Sequence, residues 1–174
     1  MKVLVTAFTP FGKCNNNYSQ EVIKYIEKVD KVILDVCYDK CYLDLITQYN
    51  LDDYDLIISL GEARMRKVLT LETTAKNIAS CSLADNNGVV KKDEKIVDND
   101  ITELITLVSL TDVLDIVELS HDAGKFVCNN IYFHLLSNYP NKSLFIHIPE
   151  CDNDENNYVK YANIINNIIN KILK

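Results

Sequence analysis

VELSHDAGKFVCNNIYFHLLSNYPNKSLFIHIP, residues 117–149, changes its hydrophobic period twice, and its reading sets the architecture of the chain. Val117-Glu118-Leu119-Ser120 reads as a short strand. From Asn129 to Tyr139 the apolar residues recur at helical spacing, and Ser143-Leu144-Phe145-Ile146 is an apolar run suited to a parallel strand buried on both faces. Strand, helix and strand in that order form the unit from which parallel α/β sheets are built.

The same unit carries chemistry. Cys128 ends the strand-to-helix turn, near the positive end of a helix, and His147 closes the second strand. Side chains at the carboxyl ends of neighbouring strands meet in one crevice, so a thiol and an imidazole here are placed for proton transfer. A helix N-terminus and a nearby imidazole lower a cysteine pKa from about 8.5 to roughly 3.5–7.5, which predicts a thiolate near neutral pH. The pair therefore points to a cysteine hydrolase, the plain alternative being two core residues of the sheet.

The rest of the chain extends this pattern. Val3–Phe8 and Lys31–Val36 are predicted strands with a helix over Gln20–Val29 between them. Cys41–Tyr49 reads as a helix and Leu56-Ile57-Ile58-Ser59-Leu60 as an apolar strand ending at Gly61. Val68–Ile78 alternates as one strand, and Asp85-Asn86-Asn87-Gly88 is a turn. Helical candidates follow over Ile101–Leu107 and Asp112–Ile116. Asn156–Leu173, with Tyr158, Tyr161, Ile164, Ile165, Ile168, Ile169 and Ile172, is an amphipathic helix. Lys91-Lys92-Asp93-Glu94 reads as a solvated loop, as do the Asn-rich patches 15–17 and 153–157. The predicted fold is α/β, a mostly parallel sheet with helices on both faces, in three layers.

At 174 residues the chain has the length of one domain, predicted to span 1–174. Its 48% hydrophobic and 25% charged content is that of a globular protein. No apolar run approaches the roughly 18 residues of a spanning helix, and the first residues enter a strand, so the expected location is the cytoplasm, away from membranes. The net charge of −7, without a basic stripe, argues against nucleic-acid binding. The six cysteines are expected to be free thiols in a reducing compartment. Cys37 and Cys41 lack the further Cys or His ligands of a zinc site, so no metal is expected.

Three separated strings, Leu4-Val5-Thr6-Ala7-Phe8-Thr9-Pro10-Phe11-Gly12, Ala123-Gly124-Lys125-Phe126-Val127-Cys128-Asn129 and Phe145-Ile146-His147-Ile148-Pro149, resemble pyroglutamyl peptidase I, the pyrrolidone-carboxylate peptidases. A fourth, Glu72-Thr73-Thr74-Ala75-Lys76-Asn77 followed by Asp85-Asn86-Asn87-Gly88, is similar to the family segment that begins with its catalytic Glu. The resemblance covers nearly the whole chain. It implies a phosphorylase/hydrolase-like α/β/α fold and a triad of Cys128 as nucleophile, His147 as base and acid, and Glu72 as the group orienting the imidazole. On the residues alone, Glu72 is equally an exposed polar position of a half-buried strand.

The resemblance further implies a slot for the uncharged pyroglutamyl lactam, with Phe8 and Phe11 facing the ring, Phe126 and Val127 completing the wall and Asn17 bracing the N-terminal loop. Core packing is the competing role for Phe126 and Val127. It also implies peptide substrates with N-terminal pyroglutamate, no cofactor, and a homodimer or homotetramer if the family interface is intact. The chain departs from the family pattern at Ala7, Lys13, Glu62 and Ser82, the last standing where the family has an active-site Arg. Arg64 and Arg66 are the candidates to replace that cation, and the lost glycines predict a displaced pocket loop. His121 and His134 are expected in a loop and on a helix surface. Two other functions remain open: a binding protein that keeps the fold without catalysis, and a Cys hydrolase of another N-acyl amide.

Overall fold

The computed structural model describes residues 1–151 and 153–174, and among these the chain forms ten strands and four α-helices. β1 (Val3–Phe8), α1 (Tyr18–Val22), β2 (Asp30–Leu34), α2 (Cys41–Gln48) and β3 (Leu56–Ala63) alternate at the start. Six strands follow with no α-helix between them: β4 (Thr70–Glu72), β5 (Thr74–Lys76), β6 (Ala79–Cys81), β7 (Lys91–Glu94), β8 (Glu103–Ile105) and β9 (Glu118–Ser120). α3 (Val127–Asn138), β10 (Ser143–Pro149) and α4 (Glu155–Ile172) close the fold.

The central sheet runs β2-β1-β3-β10-β4-β9, with β5–β8 and β6–β7 as separate antiparallel ribbons. All its neighbours are parallel except β10 and β4. Every residue of β1 and β10 is buried, which is why these strands are apolar on both faces. Successive side chains of a strand point to opposite faces. Val5, Ile58 and Ile146 accordingly pack with α1 and α4, whereas Leu4, Ile57 and Phe145 pack with α2 and α3. The result is the expected three-layer α/β/α arrangement around a mixed, mostly parallel sheet. Tyr158, Ala162, Ile165, Ile168 and Ile169 form the buried stripe of α4.

Several elements differ from the sequence expectation. The helix expected over Gln20–Val29 begins earlier, capped by Asn17, and yields after Val22 to a 3-10 turn at Ile23–Tyr25. Buried Val22, Ile23 and Ile26 fix that path, packing having overridden weak helix propensity. The strand expected over Val68–Ile78 breaks at Thr73, whose N–H donates to Ser120 O at 2.7 Å and whose carbonyl accepts from Thr106 N at 3.0 Å. β4 and β5 consequently join different sheets. Ile101–Leu107 is not a helix: Glu103–Ile105 pairs with β5. Asn77 gathers the preceding loop by accepting from Ile96 N and Val97 N and donating to Ile101 O, each at 2.9 Å. Asp112–Ile116 shrinks to a 3-10 turn, Thr111–Val113. Lys91–Glu94 is solvated as expected, but as strand β7 and not as a loop. In the 153–157 patch, Asp154 caps α4, which starts at Glu155.

Candidate active site

β3, β10, β4 and the start of α3 converge on one point. In the parallel pairing of β3 with β10, His147 lies beside Gly61. In the antiparallel pairing of β10 with β4, Phe145 lies opposite Glu72 and His147 opposite Thr70. From there Glu72 Oε1 meets His147 Nδ1 at 2.8 Å. Glu72 is fully buried and His147 nearly so. A carboxylate only accepts hydrogen bonds, so Nδ1 is the donor of this pair, and Nε2 is the ring nitrogen left to exchange a proton with another group.

Cys128 is the second residue of α3, inside the first helical turn and not at the end of the preceding turn. A methyl group built on Gly61 would lie 2.7 Å from its Sγ, so the sulfur rests against Gly61, the residue paired with His147 on the neighbouring strand. Cys128 and His147 line the same cavity. Phe126, the N-cap, supplies no side-chain acceptor, so the first-turn N–H groups of Val127 and Cys128 are available to an anion.

The thiol is not predisposed to ionise. Burial pushes the Cys128 pKa up to about 12, and the carboxylates of Glu72 and Glu62 add to the rise; its own backbone N–H acts the other way. This corrects the expectation of a lowered pKa. Cys128 keeps partial exposure on the cavity, but the burial of its sulfur dominates, the two carboxylates act in the same sense, and the helix terminus does not outweigh them.

The cavity is about 120 Å³, well below the roughly 300–1,000 Å³ of pockets for drug-sized ligands. Phe8, Phe11, Asn17, Phe126 and Val127, all singled out from the sequence, line it together with Val36, Glu62, Ala123, Gly124 and Lys125. Phe126 packs against Phe11 with ring centroids 5.8 Å apart and edge-on against Tyr38 at 5.4 Å. Asn17 donates to Thr9 O at 3.1 Å and accepts from Ser19 N and Ser19 Oγ, tying the segment after β1 to α1. Asn86 holds the same segment from outside, donating to Pro10 O at 3.0 Å and to Asp35 Oδ1 at 2.6 Å. With these ties β1 and the loop after it reach the cavity through Phe8 and Phe11, with Ala7 and Lys13 in place of the glycines that the family pattern has. Ala7 is buried in β1, Lys13 is exposed, and Gly12 retains a left-handed φ of 64°.

Neither Arg64 nor Arg66 lines the cavity, and Ser82, where the resemblance leads one to expect an Arg, is exposed. Arg64 Nε donates to Glu62 Oε1 at 2.5 Å, and Glu62 Oε2 accepts from Tyr18 N at 2.8 Å, so both carboxylate oxygens are engaged. Arg66 Nη2 donates to Glu72 Oε1 at 2.9 Å, the carboxylate oxygen that also meets His147. Asn129, not singled out from the sequence, grips β5 and the residues after it by accepting from Lys76 N and donating to Lys76 O, both at 2.8 Å, and to Ile78 O at 2.9 Å. Its only signal was its place beside Cys128. His121 is exposed and bonds Thr73 Oγ1 at 2.6 Å, while His134 stacks on Tyr42 at 4.8 Å. Among the described residues, no group of three or more His, Cys, Asp or Glu side chains is arranged to hold a metal ion, and no helix is long and apolar enough to cross a membrane.

Comparison with known proteins gives the lineage. The pyrrolidone-carboxylate peptidase of Thermosipho melanesiensis is 33% identical over 167 residues, covering 86% of this chain and 83% of its own. That of Staphylococcus saprophyticus is 31% identical over 172 residues, covering 86% and 78%. Among solved structures, pyroglutamyl peptidase I from Bacillus amyloliquefaciens superposes with a TM-score of 0.87 at 23% identity, over 99% of this chain and 95% of its own, a likeness of fold alone. The pyrrolidone carboxyl peptidase from Thermus thermophilus gives 0.82 at 26% identity, over 98% of each chain. The pyroglutamyl peptidase family profile matches residues 1–155, and on this match and the identities to its members the chain belongs to that family.

Proposed function

We propose that the protein is a cysteine peptidase that removes an N-terminal pyroglutamyl residue from peptides, with Cys128, His147 and Glu72 as its triad. The observation that carries the reading is the bonded pair of Glu72 and His147 at 2.8 Å on a cavity that also holds the Cys128 thiol. Because the resting thiol is protonated, attack on the pyroglutamyl carbonyl proceeds with transfer of its proton to His147 Nε2. The sulfur–carbon bond forms, the oxyanion is met by the N–H groups at the start of α3, and His147 then protonates the departing amine as the amide bond breaks. Water activated by His147 hydrolyses the thioester and releases pyroglutamate. Glu72 keeps the ring oriented and stabilises its charged form.

The lactam has no charged amine, so shape and amide hydrogen bonds must recognise it. Phe8, Phe11 and Phe126 give the apolar slot, and one Asn17 amide hydrogen remains beyond that used on Thr9. Residues 1–174 act as one domain, in the cytoplasm, and as a homodimer or homotetramer if the family interface is kept; light scattering measures the last. The substrate claim is tested with aminocoumarin amides of pyroglutamate, proline, glutamate and N-acetylalanine under reducing conditions. Cleavage of the pyroglutamyl amide at least tenfold faster than the others supports the reading; preference for another N-acyl amide, or no cleavage by folded protein, overturns it.

A further inference from the structure

We infer that Arg66 is a positioning residue for the reaction, fixing the triad carboxylate and tying it to the loop that leads into the nucleophile; this rests on reading Glu72 as the group that orients His147. Glu72 is completely buried, and its Oε2 has no hydrogen-bond partner among the described residues. The carboxylate is therefore held through Oε1 alone, which accepts from two donors, His147 Nδ1 at 2.8 Å and Arg66 Nη2 at 2.9 Å. A buried carboxylate is costly unless a cation and donors compensate it. Arg66 is that cation, and its side chain keeps partial access to solvent while Glu72 has none.

The same Nη2 atom also donates to Ser120 Oγ at 2.9 Å and to Asp122 O at 2.8 Å. Two hydrogens serve three acceptors, so at least one bond is shared. Ser120 ends β9 and Asp122 lies in the segment that runs on to Cys128, where Asp122 Oδ1 also accepts from Gly124 N at 3.2 Å and pairs with Lys76 at 3.0 Å. One guanidinium thus joins the orienting carboxylate to the approach of the nucleophile. Arg66 does not line the cavity. Its loss should therefore act on turnover and leave substrate binding largely in place.

The test uses Arg66→Ala and Arg66→Lys in the full chain. With the pyroglutamyl aminocoumarin substrate, Arg66→Ala should lower kcat roughly 10²-fold, the scale of a mispositioned catalytic group, with KM changed less than threefold. Millimolar guanidinium should restore turnover in the alanine variant where equimolar sodium chloride does not, and Arg66→Lys should be intermediate. A readout without substrate separates this from a failure of the functional reading. In 15N-histidine-labelled protein the hydrogen-bonded Nδ1–H signal of His147, assigned by its loss in His147→Gln, should disappear in Arg66→Ala and return with guanidinium. Should Arg66→Ala fail to fold, a kcat for Arg66→Lys reduced at least fivefold at unchanged KM supports the role. Wild-type kcat in either variant, or an Nδ1–H signal unaffected by removing the guanidinium, overturns it.

Discussion

Replacing Gly61 by alanine is a sharp probe, because one methyl group meets the nucleophile and the support of the base together. Gly61 has no positive φ, so alanine adds no backbone strain and the effect is one of contact. The new Cβ lies 2.7 Å from Cys128 Sγ, and 2.7 and 2.8 Å from two ring atoms of Phe145. Restoring ordinary contact at about 3.5 Å requires a retreat of roughly 0.8 Å. If the thiol moves, it leaves its place beside His147. If Phe145 moves, it presses on His147 and Tyr132, whose rings lie 4.9 and 5.6 Å from its own. A displacement near 1 Å at a reacting group costs on the order of 10²-fold in rate, and overpacking a filled core costs about 1–3 kcal/mol. The expected result is kcat/KM for the pyroglutamyl aminocoumarin amide reduced roughly 10- to 100-fold. The melting temperature should fall by roughly 2–12 °C, at about 2–4 °C per kcal/mol for a chain of this size. Wild-type kcat/KM in folded Gly61→Ala would refute the placement of the sulfur against this backbone.

Asn129→Ala removes three bonds that hold α3 to β5 and the residues just after it, and at about 1–3 kcal/mol in all for backbone groups left unpaired it should lower the melting temperature by roughly 2–12 °C; an unchanged melting curve contradicts this. The elevated Cys128 pKa predicts that iodoacetamide alkylation of this residue, followed by mass spectrometry, still accelerates with pH at pH 9, whereas a rate plateau below pH 7 would indicate a resting thiolate. Burial acts to raise the Asp85 pKa, but hydrogen bonds from the N–H groups of Val89, Tyr38 and Asn87 hold it below the ordinary carboxylate value. Its contribution is then complete above that ordinary value, near 4, and is lost as the pH falls through the depressed folded value. In urea unfolding, Asp85→Asn should be destabilised at pH 7 and converge on the wild type toward pH 2; a gap independent of pH would show that the charge is irrelevant.

The parts of the fold visible in the sequence are those where burial alone writes the pattern. β1, β3 and β10 are buried along nearly their whole length and read as unbroken apolar runs, and the single buried stripe of α4 reads as a helix. β8 was invisible because it is short and mostly exposed, its course set by pairing with β5 and by the distant amide of Asn77. The break at Thr73 was hidden in a regular alternation, since bonds to Ser120 and Thr106 create it. Cys128 and His147 were legible because the strand-helix-strand unit places both at one end of the sheet. Glu72 reaches His147 across an antiparallel pair that no period announces, so only the resemblance to a family singled it out. The contacts of Arg66 join segments 54 and 56 residues apart, which no local pattern encodes.

The most direct test of the central claim is hydrolysis of the pyroglutamyl aminocoumarin amide under reducing conditions by wild type and Cys128→Ser side by side. Turnover by the wild type is expected, with a loss of roughly 10³-fold or more in the serine variant, whose hydroxyl is a far weaker nucleophile at the same position. Equal turnover by both would contradict the thiol mechanism, and no turnover by folded wild type would contradict the peptidase itself.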